Sequence, residues 1–87
     1  MAVVRAANIM YEVVDGRAVL VDPKGAELLT LNEVGTLVWE ALDGGSDARA
    51  LATQLLPRFT GVTADELEAD ITSFIAELRD ADLVVEA

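Results

Sequence analysis

Apolar and polar positions follow two different periods along this chain, and the change from one to the other predicts its architecture. Ile9-Met10-Tyr11-Glu12-Val13-Val14 and Ala18-Val19-Leu20-Val21 are β-branched and aromatic-rich runs joined across Asp15-Gly16-Arg17. Asp-Gly tolerates the positive φ of a tight hairpin turn, so the two runs are expected to pair. In Asp22-Pro23-Lys24-Gly25 a proline suits the first central position of a second turn and a glycine closes it. The segment Ala26-Glu27-Leu28-Leu29-Thr30-Leu31 then runs back as a third strand, which completes a meander.

Beyond Leu31 the apolar positions recur at helical spacing. Asn32 is a candidate cap for a helix in which Val34, Leu37, Val38, Ala41 and Leu42 share a face, and Asp43-Gly44-Gly45 stops it. Trp39 lies roughly 140° round from Val34 at 100° per residue, so it either fills a second packing interface or lies partly exposed as a binding anchor, and packing is the preferred reading. Ser46 or Asp47 caps a second helix carrying Ala48, Leu51, Ala52 and Leu55 on its stripe. Pro57 ends or kinks that helix for want of an amide hydrogen, and Phe59 folds back onto the core. Thr63-Ala64-Asp65-Glu66 has the form of a capping box opening a third helix, whose Leu67, Ile71, Phe74, Ile75 and Leu78 fall within one arc. Leu83-Val84-Val85 reads as a short closing strand or an extended tail. Strands first and helices after is the pattern of an α+β domain, with a three-stranded antiparallel sheet packed on three helices.

Length and charge narrow the function. At 87 residues, 53% of them hydrophobic, the chain is expected to form one domain over residues 1–87 around a modest core. No apolar run approaches the ~20 residues of a membrane span. The first residues lack the basic stretch and apolar core of a secretory signal, so a cytoplasmic location without membrane contact is expected. With 16 acidic residues against 6 basic ones, net charge −10, the chain would repel a phosphate backbone, and nucleic acid is not an expected partner. The same field draws in a basic peptide or a basic patch on another protein.

Catalytic chemistry finds few residues to work with. The chain has neither histidine nor cysteine, so the usual neutral-pH bases and thiolate nucleophiles are missing. The carboxylates of Asp65, Glu66, Glu68 and Asp70 are read as a solvated face favoured by the helix dipole, not as converging on a metal or substrate. Gly44-Gly45-Ser46 has no preceding strand and no flanking lysine, unlike a phosphate loop. Ser46 stands in the wrong context for the serine of a carrier protein. No catalytic residue, metal site or cofactor is therefore assigned, and the chain is expected not to be an enzyme.

Capture of a peptide is the chemistry that remains. Two strands of a three-stranded meander are edges, and an edge offers unpaired amide and carbonyl groups. The run 26–31 contains no proline and a single charge, Glu27, so it is poorly protected against strand addition. Leu29 and Leu31 alternate with Leu28 and Thr30, so one set enters the core and the other lines the surface. Backbone bonds would supply affinity and side-chain pockets specificity.

The series Leu20-Val21-Asp22, Leu31-Asn32-x-x-Gly35-x-x-x-Trp39-x-x-Leu42-x-Gly44, Asp70 with Phe74, and Leu78-x-x-x-Asp82-Leu83-Val84 resembles PqqD-like proteins and RiPP recognition elements. The resemblance covers the chain from about Val19 to Val84. It implies a winged-helix-like fold and a binder of precursor leader peptides. The leader would add as a strand to Ala26, Glu27, Leu28, Leu29, Thr30 and Leu31, and would lie against a third helix bordered by Leu67, Asp70, Ile71 and Phe74. Asp70 and Glu77 would form the acidic rim. Implied partners are a leader peptidase, as in lasso-peptide clusters, or a radical-type modifying enzyme, as in the pyrroloquinoline quinone pathway; the chain itself is expected to be a monomer. It departs from the family in having Leu28-Leu29-Thr30 where an aromatic residue commonly precedes Leu-Asn. The rival readings are a docking or regulatory subunit that never touches a leader, and a winged-helix nucleic-acid binder, which the acidic third helix disfavours.

Overall fold

The structure is a computed structural model that describes residues 2–7, 9–22, 27–42 and 45–86. Strands β2 (Tyr11–Val14), β3 (Arg17–Val21) and β4 (Leu28–Thr30) form an antiparallel sheet in the order β2-β3-β4. Asp15 and Gly16 both take positive φ, 53° and 78°, as a two-residue type I′ turn requires. The expected turn 22–25 and the expected start of the third strand at Ala26 lie largely outside the described residues. Asp22 N–H nevertheless donates to Glu27 C=O at 2.8 Å, so the chain returns into the sheet where the pattern placed it. The strand itself is shorter than the apolar run, Leu28–Thr30. Leu31 and Asn32 are already turning toward the helix that follows.

That helix, α1 (Glu33–Ala41), is capped by Asn32, whose side chain accepts the Gly35 N–H at 2.7 Å. Of the expected face, Val38 and Leu42 are buried and Leu37 and Ala41 pack half-buried against the core, but Gly35, Thr36 and Trp39 are buried as well. The difference is tertiary. α1 is wedged between sheet and helices, so it buries more than one side, and the Thr36 hydroxyl accepts the Ala18 N–H of β3 at 2.7 Å. Of the expected stop 43–45, positions 43 and 44 lie outside the described residues, and α1 itself ends at Ala41. Trp39 is fully enclosed, with Tyr11 edge-on at 5.6 Å between ring centroids and the Arg5 guanidinium 5.8 Å from its ring. This aromatic and cationic contact stitches the N-terminal segment to sheet and helix.

Asp47 caps α2 (Ala48–Leu55), which buries Leu51, Ala52 and Leu55. Pro57 sits in a 3-10 turn, Leu56–Arg58, where its missing N–H costs nothing, and Phe59 packs against the core. α3 (Ala64–Asp80) opens with the full capping box: Glu66 N–H donates to Thr63 Oγ1 and Thr63 N–H to Glu66 Oε1, each at 3.1 Å. Leu67, Ile71, Ile75 and Leu78 form its buried stripe. Asp82 takes a left-handed φ of 59° just past its end, while Leu83 N–H bonds back to Leu78 C=O and Asp82 N–H to Arg79 C=O. This is a Schellman closure, and it turns the chain sharply into β5 (Val84–Glu86).

β5 pairs antiparallel with β1 (Val3–Arg5), a strand that the pattern of residues 1–5 did not suggest. The segment is too short to show an alternation, and its pairing partner is some eighty positions away. Val3, Leu83 and Val84 are thereby drawn into one core with Leu20, Trp39, Leu42, Leu51, Ile71 and Leu78. The sheet is covered by helices on one face only. Its outer face leaves Met10 72% and Leu28 69% exposed, beside Val14, Val19 and Val21. Among the described residues, no helix is long and apolar enough to cross a membrane.

Candidate functional site

The register of β4 decides what its free edge can offer. Val19 stands opposite Thr30, Leu20 opposite Leu29 and Val21 opposite Leu28. Leu31 N–H donates to Ala18 C=O, and Asp22 N–H to Glu27 C=O, just outside either end of this ladder. Hydrogen-bonded pairs alternate in an antiparallel ladder, so Glu27, Leu29 and Leu31 direct their backbone groups at β3. The N–H and C=O of Leu28 and Thr30 point the other way, and among the described residues no strand pairs there. These are the groups that an added strand would use.

Side chains follow the same parity. Leu29 and Leu31 share the inner face with the fully buried Leu20 and Ala18, whereas Leu28 and Thr30 share the outer one. Leu31 enters the core. Leu29 is 41% exposed because it stands at the sheet's margin above α3. Between this margin and the C-terminal half of α3 runs a groove of about 340 Å³, lined by Leu29, Thr30, Leu31, Asn32, Phe74, Glu77, Leu78 and Ala81. A second depression of about 300 Å³ continues from it between α1 and α3, lined by Asn32, Val34, Gly35, Val38, Asp70, Ile71, Ser73, Phe74 and Glu77. The two share Asn32, Phe74 and Glu77, so Phe74 forms a sill between them.

The structure thus brings most of the expected peptide-binding residues together, with different duties. Leu29, Thr30 and Leu31 line the first depression, Asp70 and Ile71 the second, and Phe74 and Glu77 both. Leu28 contributes its backbone to the edge while its side chain joins the outer face. Glu27 is exposed beside the strand, and Ala26 lies outside the described residues. Leu67 is 4% exposed and lines neither depression; it packs in the core one turn from Ile71. Asn32, Val34, Gly35, Val38, Ser73, Leu78 and Ala81 were not assigned to the peptide site. Leu78, already on the arc of Phe74, and Ala81 continue that stripe at i+4 and i+7, so helical spacing carries a signal for both. Asn32 and the α1 residues reach the cleft only by tertiary packing.

Gly35 sets the closeness of the two helices. A Cβ built there would stand 3.1 Å from Phe74 Cζ and 3.2 Å from the capping Asn32 Oδ1. The absent side chain lets the phenyl ring lie against α1.

The carboxylates of α3 divide by flank. Asp65 and Glu68, one turn apart, both reach Arg49 of α2, at 3.1 and 3.0 Å. At i, i+3 spacing they lie close enough on the helix surface for a single guanidinium to span them. Hydrogen bonding and attraction from Glu68, then Asp65, hold the Arg49 guanidinium above its ordinary value. Glu66 serves the capping box. Asp70 and Glu77 lie on the groove flank with no cationic partner among the described residues. Among those residues, no group of three or more acids could hold a metal ion.

Comparison with known proteins bears on the fold and the family. The family model described as "Coenzyme PQQ synthesis protein D (PqqD)" matches residues 17–84. No curated protein matches the chain. Among solved structures, "Lasso peptide synthetase B1 complexed with the leader peptide" superposes with a TM-score of 0.82 at 21% identity, covering 98% of this chain and 99% of that one. "TbiB1 in Complex with the TbiA(beta) Leader Peptide" gives 0.81 at 18% identity, with 93% of each chain covered. At such identities the superpositions speak for the fold, and the family match, which runs from the start of β3 through all three helices to Val84, speaks for descent: this chain belongs to the PqqD family.

Proposed function

We propose that this chain is a RiPP recognition element: it binds the leader peptide of a ribosomally made precursor as an added strand on β4 and holds it for a separate modifying enzyme or leader peptidase. The observation that carries this reading is the outward-directed N–H and C=O of Leu28 and Thr30, set directly beside the groove against α3. Strand addition supplies sequence-independent affinity. Side chains of alternate leader residues drop past Leu29 toward Phe74 and Leu78, where burial of apolar surface supplies selectivity. Support comes from the family match and from the two solved structures of the same fold, both of which hold leader peptides.

The chain acts without catalysis of its own. It has no histidine or cysteine, and the groove residues are apolar apart from Thr30, Asn32, Ser73, Asp70 and Glu77. Its contribution is to raise the local concentration of a precursor at an enzyme that binds the same complex. The apolar outer face of the sheet favours a second reading, a docking subunit that touches only the enzyme.

Fluorescence anisotropy separates the two readings. A labelled leader from the precursor encoded beside this gene is titrated with purified protein, with a scrambled leader as control. Saturable binding of the leader alone is expected. Equal binding of both peptides, or of neither, would overturn leader recognition and leave the docking subunit.

A further inference from the structure

The second depression is more than an extension of the first. We propose that the α1/α3 cleft is a separate subsite, one that takes a lysine or arginine side chain of the bound leader peptide; the inference rests on the leader-binding reading above. Three observations carry it.

The first is continuity. β4 leads through Leu31 and Asn32 directly into α1, and the groove beside β4 passes over Phe74 into the cleft. A peptide strand paired with Leu28 and Thr30 therefore meets the cleft as it leaves the sheet at the Thr30 end.

The second is the division of the cleft into floor and rim. Val38 and Ile71 are buried, Phe74 is half-buried, and together they form an apolar floor. Asp70 and Glu77 stand before and after Phe74 on the same stripe of α3, separated by about 10 Å along the helix at 1.5 Å per residue. Lysine and arginine have this dual character, a hydrocarbon stem that lies along apolar surface and a cationic head that stays at the polar rim.

The third is charge left uncompensated among the described residues. None of these that lines either depression is basic. Arg17 opens onto a different depression with Asn32, Glu33 and Val34, and Arg49 is engaged by Asp65 and Glu68 on the opposite flank. Helix stability does not account for Glu77, because it stands in the last turn of α3, where the helix dipole disfavours an anion. A cationic side chain of the bound leader completes the arrangement.

Calorimetric titration of the leader against the wild-type chain and against an Asp70→Asn/Glu77→Gln double variant tests this. The leader carries each lysine and arginine replaced in turn by methionine, which keeps the stem and removes the charge. At one leader position methionine is expected to weaken binding to the wild-type chain about tenfold. The double variant should bind the unaltered leader about tenfold more weakly and lose less than about twofold more from that methionine. An Asp65→Asn/Glu68→Gln pair, with the same change in net charge on the other flank, should leave leader affinity unchanged. The subsite is overturned if the leader binds but no position couples to Asp70 and Glu77, if the leader has no basic residue, or if the control pair weakens binding equally. Failure of the wild-type chain to bind any leader is a different result, and it removes the leader-binding reading together with the subsite.

Discussion

Single side chains decide whether the groove has the right shape. Thr36 is the one buried polar side chain of the described core, and its hydroxyl accepts the Ala18 N–H where β4 has ended and no longer can. Thr36→Val keeps the shape but orphans that amide, which should cost about 1–3 kcal/mol. Urea unfolding followed by the fluorescence of the lone tryptophan, Trp39, reads the loss directly. Phe74 is a different case, since its half-buried ring is a wall of both depressions. Phe74→Ala should weaken leader binding by about 2 kcal/mol, measured by the anisotropy titration, with a smaller loss in unfolding free energy than a fully buried phenylalanine would show. Resistance of the affinity to that change would mean the leader does not cross the sill.

At the scale of elements, the exposed edge is governed by parity. The apolar run 26–31 does not say which amides face the free edge; the register shows that the Leu29 amide is spent on β3. Proline at Leu29 should therefore break the sheet's own ladder and unfold the chain more readily. Thr30→Pro removes an outward N–H instead. It should abolish leader binding while the circular dichroism spectrum stays native-like. α3, the other wall, depends on its first turn. Thr63→Ala removes the acceptor that the Glu66 N–H uses and should cost about 1 kcal/mol, visible as a lowered thermal midpoint.

For the whole molecule, the two chain ends hold each other and charge sets the working conditions. β1 and β5 pair across the full length of the described chain, and Val3 is buried where they meet the helices. Val3→Ala should destabilise by about 1–3 kcal/mol although it lies far from the groove. A net charge of −10 opposes compaction and attracts basic ligands at long range. Raising ionic strength from low to physiological should slow association with a basic leader more than it speeds dissociation. Stopped-flow kinetics at two salt concentrations checks this.

Much of this protein is legible in its order of residues, wherever one element contains its own signal. The hairpin follows from Asp15-Gly16, since positive φ at both positions selects one turn. The third helix follows from Thr63-x-x-Glu66 and a stripe at 3.6-residue spacing, and the family from motifs spread between Val19 and Val84. These depend on contacts a few residues apart, or on patterns that descent has kept. What needed the folded chain were relations between distant segments. The rotation of α1, buried on more than one side, followed from Thr36 reaching β3 and Gly35 reaching Phe74. The pairing of Val3–Arg5 with Val84–Glu86 has no local cause. The removal of Leu67 to the core, and the facing of Leu28 and Thr30 outward, were settled by packing and register. A strand's residues alternate with a period of two, so which half faces the partner strand is fixed only when that partner is in place.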